Sequence, residues 1–273
     1  NIVDGVSTLL ESAADENRKV RQESFKVLKV VAEPDQLPAL VHLTLNLRSE
    51  SDRSEAEKTV AAVAHKIEDP NRQAASVLAA LPNVDDVDQR ASLLRILGRI
   101  GDNSALPVLR TALTSREAQL RDAAIRALSD WPTPEPLNDL LKVAQTSEQP
   151  VHKILALRGF VRLLGQDDRR SADETIELYK KAMELAPNTT EKKRVLSGLG
   201  SEASLSALQM AMQYLDDASL QVEAQSAVVR ITEQIQDQYP QQSREAVERV
   251  VENTKNETLR EQAQSAIDRM KEQ

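Results

Sequence analysis

Four stretches of this chain carry one octapeptide pattern, and that repetition limits the fold more than any other feature. Arg21-Gln-Glu-Ser-Phe-Lys-Val-Leu28, Arg90-Ala-Ser-Leu-Leu-Arg-Ile-Leu97, Arg121-Asp-Ala-Ala-Ile-Arg-Ala-Leu128 and Lys153-Ile-Leu-Ala-Leu-Arg-Gly-Phe160 each begin with a cation. A small or apolar residue follows three positions later, a second cation two after that, and an apolar residue closes. Residues 192–199 and 260–267 keep the pattern with Ser197 and Ser265 at the second cation position; the stretch around Arg230 fits loosely and 55–67 fits worst. Equivalent positions lie 31 to 39 residues apart, the range of two-helix repeats.

Residues 103–128 show what one repeat is. Leu106, Leu109 and Leu113 share one helical face, Leu120, Ala124 and Leu128 share another, and Thr114-Ser115 marks the turn between them. A hairpin of this size cannot bury both apolar faces alone, so it needs a similar hairpin on each side. The same reading places hairpins at 3–12 with 18–31, 37–47 with 55–67, 74–81 with 88–100, 136–144 with 151–164, 172–185 with 191–199, 205–215 with 220–235 and 244–254 with 258–270. Pro34, Pro38, Pro70 and Pro187 punctuate the turns. Gly98 to Gly101 supplies a left-handed helix stop. No Gly/Ser linker interrupts the series, so residues 1–273 read as a single domain.

Composition agrees. Aromatic residues make up 2% of the chain, and small aliphatic side chains suit helices packed in thin layers. A net charge of −8 argues against nucleic acid as a general ligand. The absence of cysteine excludes disulfides, thiolate metal sites and a cysteine nucleophile. No apolar run reaches membrane-spanning length, so no membrane contact is expected. The chain begins at Asn1 and enters a helical pattern at once, which suits a piece of a longer protein.

The pattern Leu120-Arg121-Asp-Ala-Ala-Ile-Arg-Ala-Leu128 resembles the second helix of HEAT repeats, and Val20-Arg21 and Leu259-Arg260 resemble its start. The resemblance covers the whole chain in about eight units and implies an all-α, right-handed αα superhelix. It also implies a protein-binding scaffold. A narrower resemblance, over Ala-Leu-Ser-Asp-Trp131-Pro and 155–164, is to the HEAT region of large multidomain bacterial proteins. Many of those are exported, which implies a periplasmic or extracellular location. Ser115 and Ser147 stand where the family often has Asp in the turn, against a regular Asp-Arg ladder.

Candidate site residues follow from this frame. Second helices of a solenoid generally line the concave side, which would set Lys26, Arg95, Arg126, Arg158 and Arg230 in a row along it. Such a row would steer an acidic protein or peptide into the groove; alternatively, each cation pairs with a carboxylate of the next repeat. Trp131, in Asp-Trp-Pro-Thr-Pro-Glu-Pro, is a candidate aromatic anchor if exposed and a plug between layers if buried. His42, His65 and His152 fall in different repeats without metal-ligand spacing, so no metal or cofactor is expected, and His152 reads as exposed. Asp85-Asp86, Asp167-Asp168 and Asp216-Asp217 read as helix caps. No phosphate-cradling glycine loop or nucleophile elbow occurs. The expectation is a monomeric, non-catalytic scaffold, with a passive spacer or a DNA-glycosylase-like enzyme as alternatives.

Overall fold

The computed structural model describes residues 2–166 and 170–271. Among these the chain forms sixteen α-helices and no strand. They pair as eight hairpins: α1 (Ile2–Ser12) with α2 (Arg18–Val31), α3 (Leu37–Asn46) with α4 (Glu50–Ala64), α5 (Ala75–Ala80) with α6 (Val87–Ile100), and α7 (Leu106–Leu113) with α8 (Ala118–Ser129). Then follow α9 (Leu137–Thr146) with α10 (Pro150–Leu164), α11 (Ala172–Leu185) with α12 (Thr189–Leu199), α13 (Leu205–Met212) with α14 (Gln221–Ile235), and α15 (Pro240–Asn253) with α16 (Glu257–Lys271). The chain divides into two compact units, 1–139 and 140–273.

In the first unit the second helices stack in the order α2, α4, α6, α8, and α1, α3 and α5 pack in sequence beside them. In the second unit α10, α12, α14 and α16 stack likewise, with α11, α13 and α15 alongside. Within each unit a hairpin therefore covers the apolar face of its neighbour, the arrangement the repeat demands.

Local chemistry sets the boundaries. Asn17, Ser49, Asp86, Asn188 and Ser204 each accept a backbone N–H from the first turn of the helix that follows. Ser171 and Glu174 form a reciprocal capping box. Pro150 and Pro240 occupy first positions, where their missing N–H costs nothing. Gly101 ends α6 at φ 73°, as the left-handed stop requires, and a Cβ there would lie 2.5 Å from the ring of Pro132.

The boundaries depart from the sequence reading at α4, at the end of α13 (212, not 215) and at the start of α15 (240, not 244), and the largest departure is at α4. The polar run Ser-Glu-Ser-Asp-Arg-Ser is not a separating loop: α4 starts at Glu50, five residues before the expected 55, capped by Ser49. Glu50 and Asp52 in its first turn complement the helix dipole, and Asp52 is buried because Arg21 of the preceding repeat donates to it at 2.9 Å.

The tightest crossing is that of α6 with α8. A Cβ at Gly98 would lie 2.5 Å from Ala127 Cβ and 2.7 Å from its Cα, too close for either backbone. Gly98→Ala should therefore destabilise the chain by about 1–3 kcal/mol, less the roughly 1 kcal/mol of helix propensity that alanine restores. Urea unfolding measures this; a stabilised variant would show that the helices do not meet here.

Candidate functional site: the cationic groove of the first unit

The cations of the repeat divide into two sets with different work. The first sits in the opening turn of α2, α4, α6, α8 and α16 and folds back on its own hairpin. Arg21 donates to the carbonyls of Asp15 and Glu16 at 2.8 Å, and Arg53 to that of Leu47 at 2.8 Å. Arg90 reaches the carbonyl of Val84 at 3.3 Å, Arg121 that of Ser115 at 2.7 Å and Arg260 that of Thr254 at 2.6 Å. In every case an acceptor lies six residues upstream, in the turn where helix-end carbonyls lack intrahelical partners. These arginines close the turn. Ser115 and Ser147 also serve it, accepting the backbone N–H of Glu117 at 3.1 Å and of Gln149 at 3.3 Å.

Arg53 also resets the register of α4. Counted from it, Ala56 falls at the third position, Lys58 at the fifth and Val60 at the seventh, with Ala56 and Val60 fully buried. The stretch that fits worst when read from residue 55 thus carries the full pattern, and Lys58 is a second-position cation that sequence reasoning missed. In the first unit the second-position row is Lys26, Lys58, Arg95 and Arg126, one from each of four stacked helices.

What these side chains do is uneven. Arg95 donates to Glu57 through Nε at 2.9 Å and Nη2 at 2.7 Å, while Ser92 donates to the same carboxylate at 2.8 Å and Arg99 lies 3.9 Å away. Glu57 is buried, so this pairing is structural. Lys26 pairs with Glu23 at 2.6 Å and Lys58 with Glu55 at 3.1 Å, each on its own helix. Arg126 pairs with Asp122 at 2.8 Å, a hydrogen bond that raises its pKa above the ordinary guanidinium value. Such exposed pairs are weak and leave the cation available.

In the second unit the row is spent internally. Arg158 donates to the buried Glu191 at 2.5 Å and 3.0 Å, which raises the pKa of its guanidinium. Arg230 donates to the carbonyl of Ser197 at 2.7 Å and lies against Gly200, where only the absence of a side chain makes room.

A groove of about 630 Å³ runs over the second helices of the first unit. Lys29, Lys58, Arg95, Arg99 and Arg126 line it, against a single lining carboxylate, Asp130. Its floor is uncharged: Ala61, Ala62, Gly98, Ile100, Ala127 and Pro132. His65 is exposed on the wall with its Nε2 held 2.9 Å from the carbonyl of Ile100. Of the expected row, Arg95 and Arg126 reach this groove; Lys26 stands outside its lining, where Lys29 takes its place one turn on.

Two sequence expectations are corrected. Trp131 is fully buried and its indole N–H donates to Asn103 Oδ1 at 3.3 Å, so it plugs the layer and is no surface anchor. His152 is buried rather than exposed, because it lies in the first turn of α10 on the face turned inward. Asp86 caps α6; Asp217, in the turn before α14, accepts from the Ser219 hydroxyl at 2.7 Å and from its backbone N–H at 2.9 Å, which lowers its pKa, while the N-cap of α14 is Leu220. Asp167-Asp168 lies outside the described residues. Among the described residues no three histidine, cysteine or acidic side chains cluster as metal ligands would, and no helix is long and apolar enough to cross a membrane.

The family model for HEAT repeats matches residues 74–160, which hold the three hairpins from α5 to α10. This segment is similar to HEAT repeats. Solved structures with helical similarity include human deoxyhypusine hydroxylase in complex with glycerol, at 13% identity and TM-score 0.39, covering 100% of this chain and 98% of that one. The complex of CpcE and CpcF of phycocyanin lyase from Nostoc sp. PCC7120 is 17% identical with TM-score 0.41, covering 85% and 94%. No curated protein matches. The arginines at 90 and 121 belong to the turn-closing set; of the groove cations Lys58, Arg95 and Arg126 belong to the second set, and Lys29 and Arg99 to neither.

Arg95→Ala should cost about 3 kcal/mol, the low end for stranding a buried charge, because Arg99 stays near Glu57. Adding Glu57→Gln should recover much of that loss in denaturant unfolding. Additive losses in the double variant would show that the two side chains are not coupled.

Proposed function

We propose that this chain is a non-catalytic protein-interaction module that holds an acidic segment of a partner protein in the cationic groove of its first unit. The observation that carries this reading is the groove lining: five cations and one carboxylate, in a protein whose net charge is −8. A positive channel on an acidic surface selects a negative segment and speeds its encounter. The uncharged floor supplies the apolar contact that a purely ionic surface lacks. The HEAT fold supports a binding role, since stacked hairpins present long continuous surfaces.

One observation favours a second reading, a passive spacer, for the second unit: Arg158 and Arg230 are occupied by Glu191 and the Ser197 carbonyl, as a self-contained stack requires. A nucleic-acid enzyme gains little support from the aromatics: Trp131, Phe25, Phe160 and Tyr179 are fully buried and so unavailable for base stacking, and the half-buried Tyr214 and Tyr239 are not among the groove residues.

The test is affinity capture at low and moderate salt with the whole chain, its Lys29→Glu/Arg126→Glu variant, and a Lys180→Glu/Lys181→Glu control on α11. Lys29 and Arg126 are chosen because neither holds a buried carboxylate, so the fold survives their loss. Proteins retained by the wild type and the control, and lost from the groove variant and at moderate salt, are the expected result. Identical captured sets from all three would remove the groove from the function.

A further inference from the structure

We infer that the first unit holds a second binding site, for a small amphiphile with a carboxylate head and a linear aliphatic tail, in a pocket that shares no lining residue with the cationic groove. The pocket exists because the row of first helices is interrupted. At six residues α5 is the shortest helix among the described residues, and it gives way at once to the 3₁₀ turn Leu81–Asn83. α1 packs on α3 and α3 on α5, but no comparable contact joins α5 to α7 among the described residues. A cavity of about 460 Å³ is left along α7, within the size range of small-molecule sites.

The lining separates a place for the tail from a place for the head. On one wall Pro107, Val108, Thr111 and Ala112 follow a single face of α7, ending at Thr114 and Ser115 in the turn beyond it. Facing them are Leu81, Leu94 and Leu120, all buried. No aromatic ring lines the pocket, so it offers aliphatic contact to a chain and no stacking surface to a flat ligand. From Pro107 to Thr114 the helix rises about 10 Å, the reach of an acyl chain of about eight carbons with bonds of about 1.5 Å.

Arg90 is the one charged residue of the lining. It stands in the opening turn of α6, and Gln119 donates to Asp88 at 2.5 Å, which sets the first turn of α8 beside that of α6. The α7–α8 turn, with Thr114 and Ser115, therefore lies at the Arg90 end of the pocket. Arg90 also has donors to spare. The turn-closing Arg21, Arg53, Arg121 and Arg260 hold their carbonyls at 2.8, 2.8, 2.7 and 2.6 Å. Arg90 reaches that of Val84 only at 3.3 Å, its one hydrogen bond among the described residues. The rest of its planar fork matches a carboxylate. Ser115 Oγ accepts the Glu117 N–H, so its own proton is left to donate to the same head group. A single cation balances one negative charge, whereas a phosphate monoester carries close to two and would be under-neutralised among these uncharged walls.

Isothermal titration calorimetry of the whole chain with octanoate, octan-1-ol and octylammonium tests this. Octanoate should bind saturably at a single site, octanol about tenfold more weakly for want of the charged hydrogen bonds, and octylammonium not measurably. Thr111→Phe changes an exposed wall residue, so it blocks the pocket without disturbing the core, and it should abolish octanoate binding. Arg90→Gln should bring octanoate down to the affinity of octanol while octanol binding is unchanged, which also shows that the pocket is still folded. No saturable octanoate binding would overturn the site, as would binding that survives Thr111→Phe. Equal affinity for octanoate and octanol, or a preference that persists in Arg90→Gln, would overturn the carboxylate head.

Discussion

Everything in this protein depends on how closely successive second helices can approach. Between α6 and α8 Gly98 meets Ala127, residues small enough for backbone to come near backbone, and Ala56, Ala61 and Ala124 of the second helices are likewise buried. With so little volume between the helices, the larger polar groups are displaced to the edges of each contact. There Asp52 and Glu57 in the first unit and Glu191 in the second become buried carboxylates that need a cation from an adjoining repeat. The ionic pairs are thus a consequence of the helix spacing. They also set which way each arginine points.

The hairpin architecture was legible in the sequence because each second helix carries two kinds of signal that agree. Apolar residues at the third and seventh positions mark the buried face, and a serine, asparagine or aspartate before the helix marks its start. Where these conflict the reading slipped. In α4 the run from Ser49 to Ser54 looks like loop by polarity alone, and the burial of Asp52 depends on Arg21, thirty-one residues away. No local window contains that partner. The two compact units, too, arise from packing between elements and leave no linker composition to read.

The site was legible in kind and not in detail. A row of second-position cations could be counted along the chain, but the sequence does not say which of them are already committed. Arg95 and Arg126 occupy equivalent positions, yet one braces a buried glutamate and the other pairs loosely on its own helix. Lys58 was hidden by the misplaced start of α4, and Lys29 by a shift of one turn in where the groove runs. Trp131 in its proline-rich turn admits both an exposed and a buried reading until Asn103 is seen to accept its N–H.

The turn-closing arginines bear on how the chain reaches this state. Each joins groups only six residues apart, so the loop it closes is short and the entropy lost in closing it is small. The turn can therefore close early, and the hairpin is then held by neighbours that add through contacts of low sequence separation. A chain emerging slowly from synthesis would bury each apolar face as soon as the following repeat is complete, and at any moment only the newest hairpin would be left without cover.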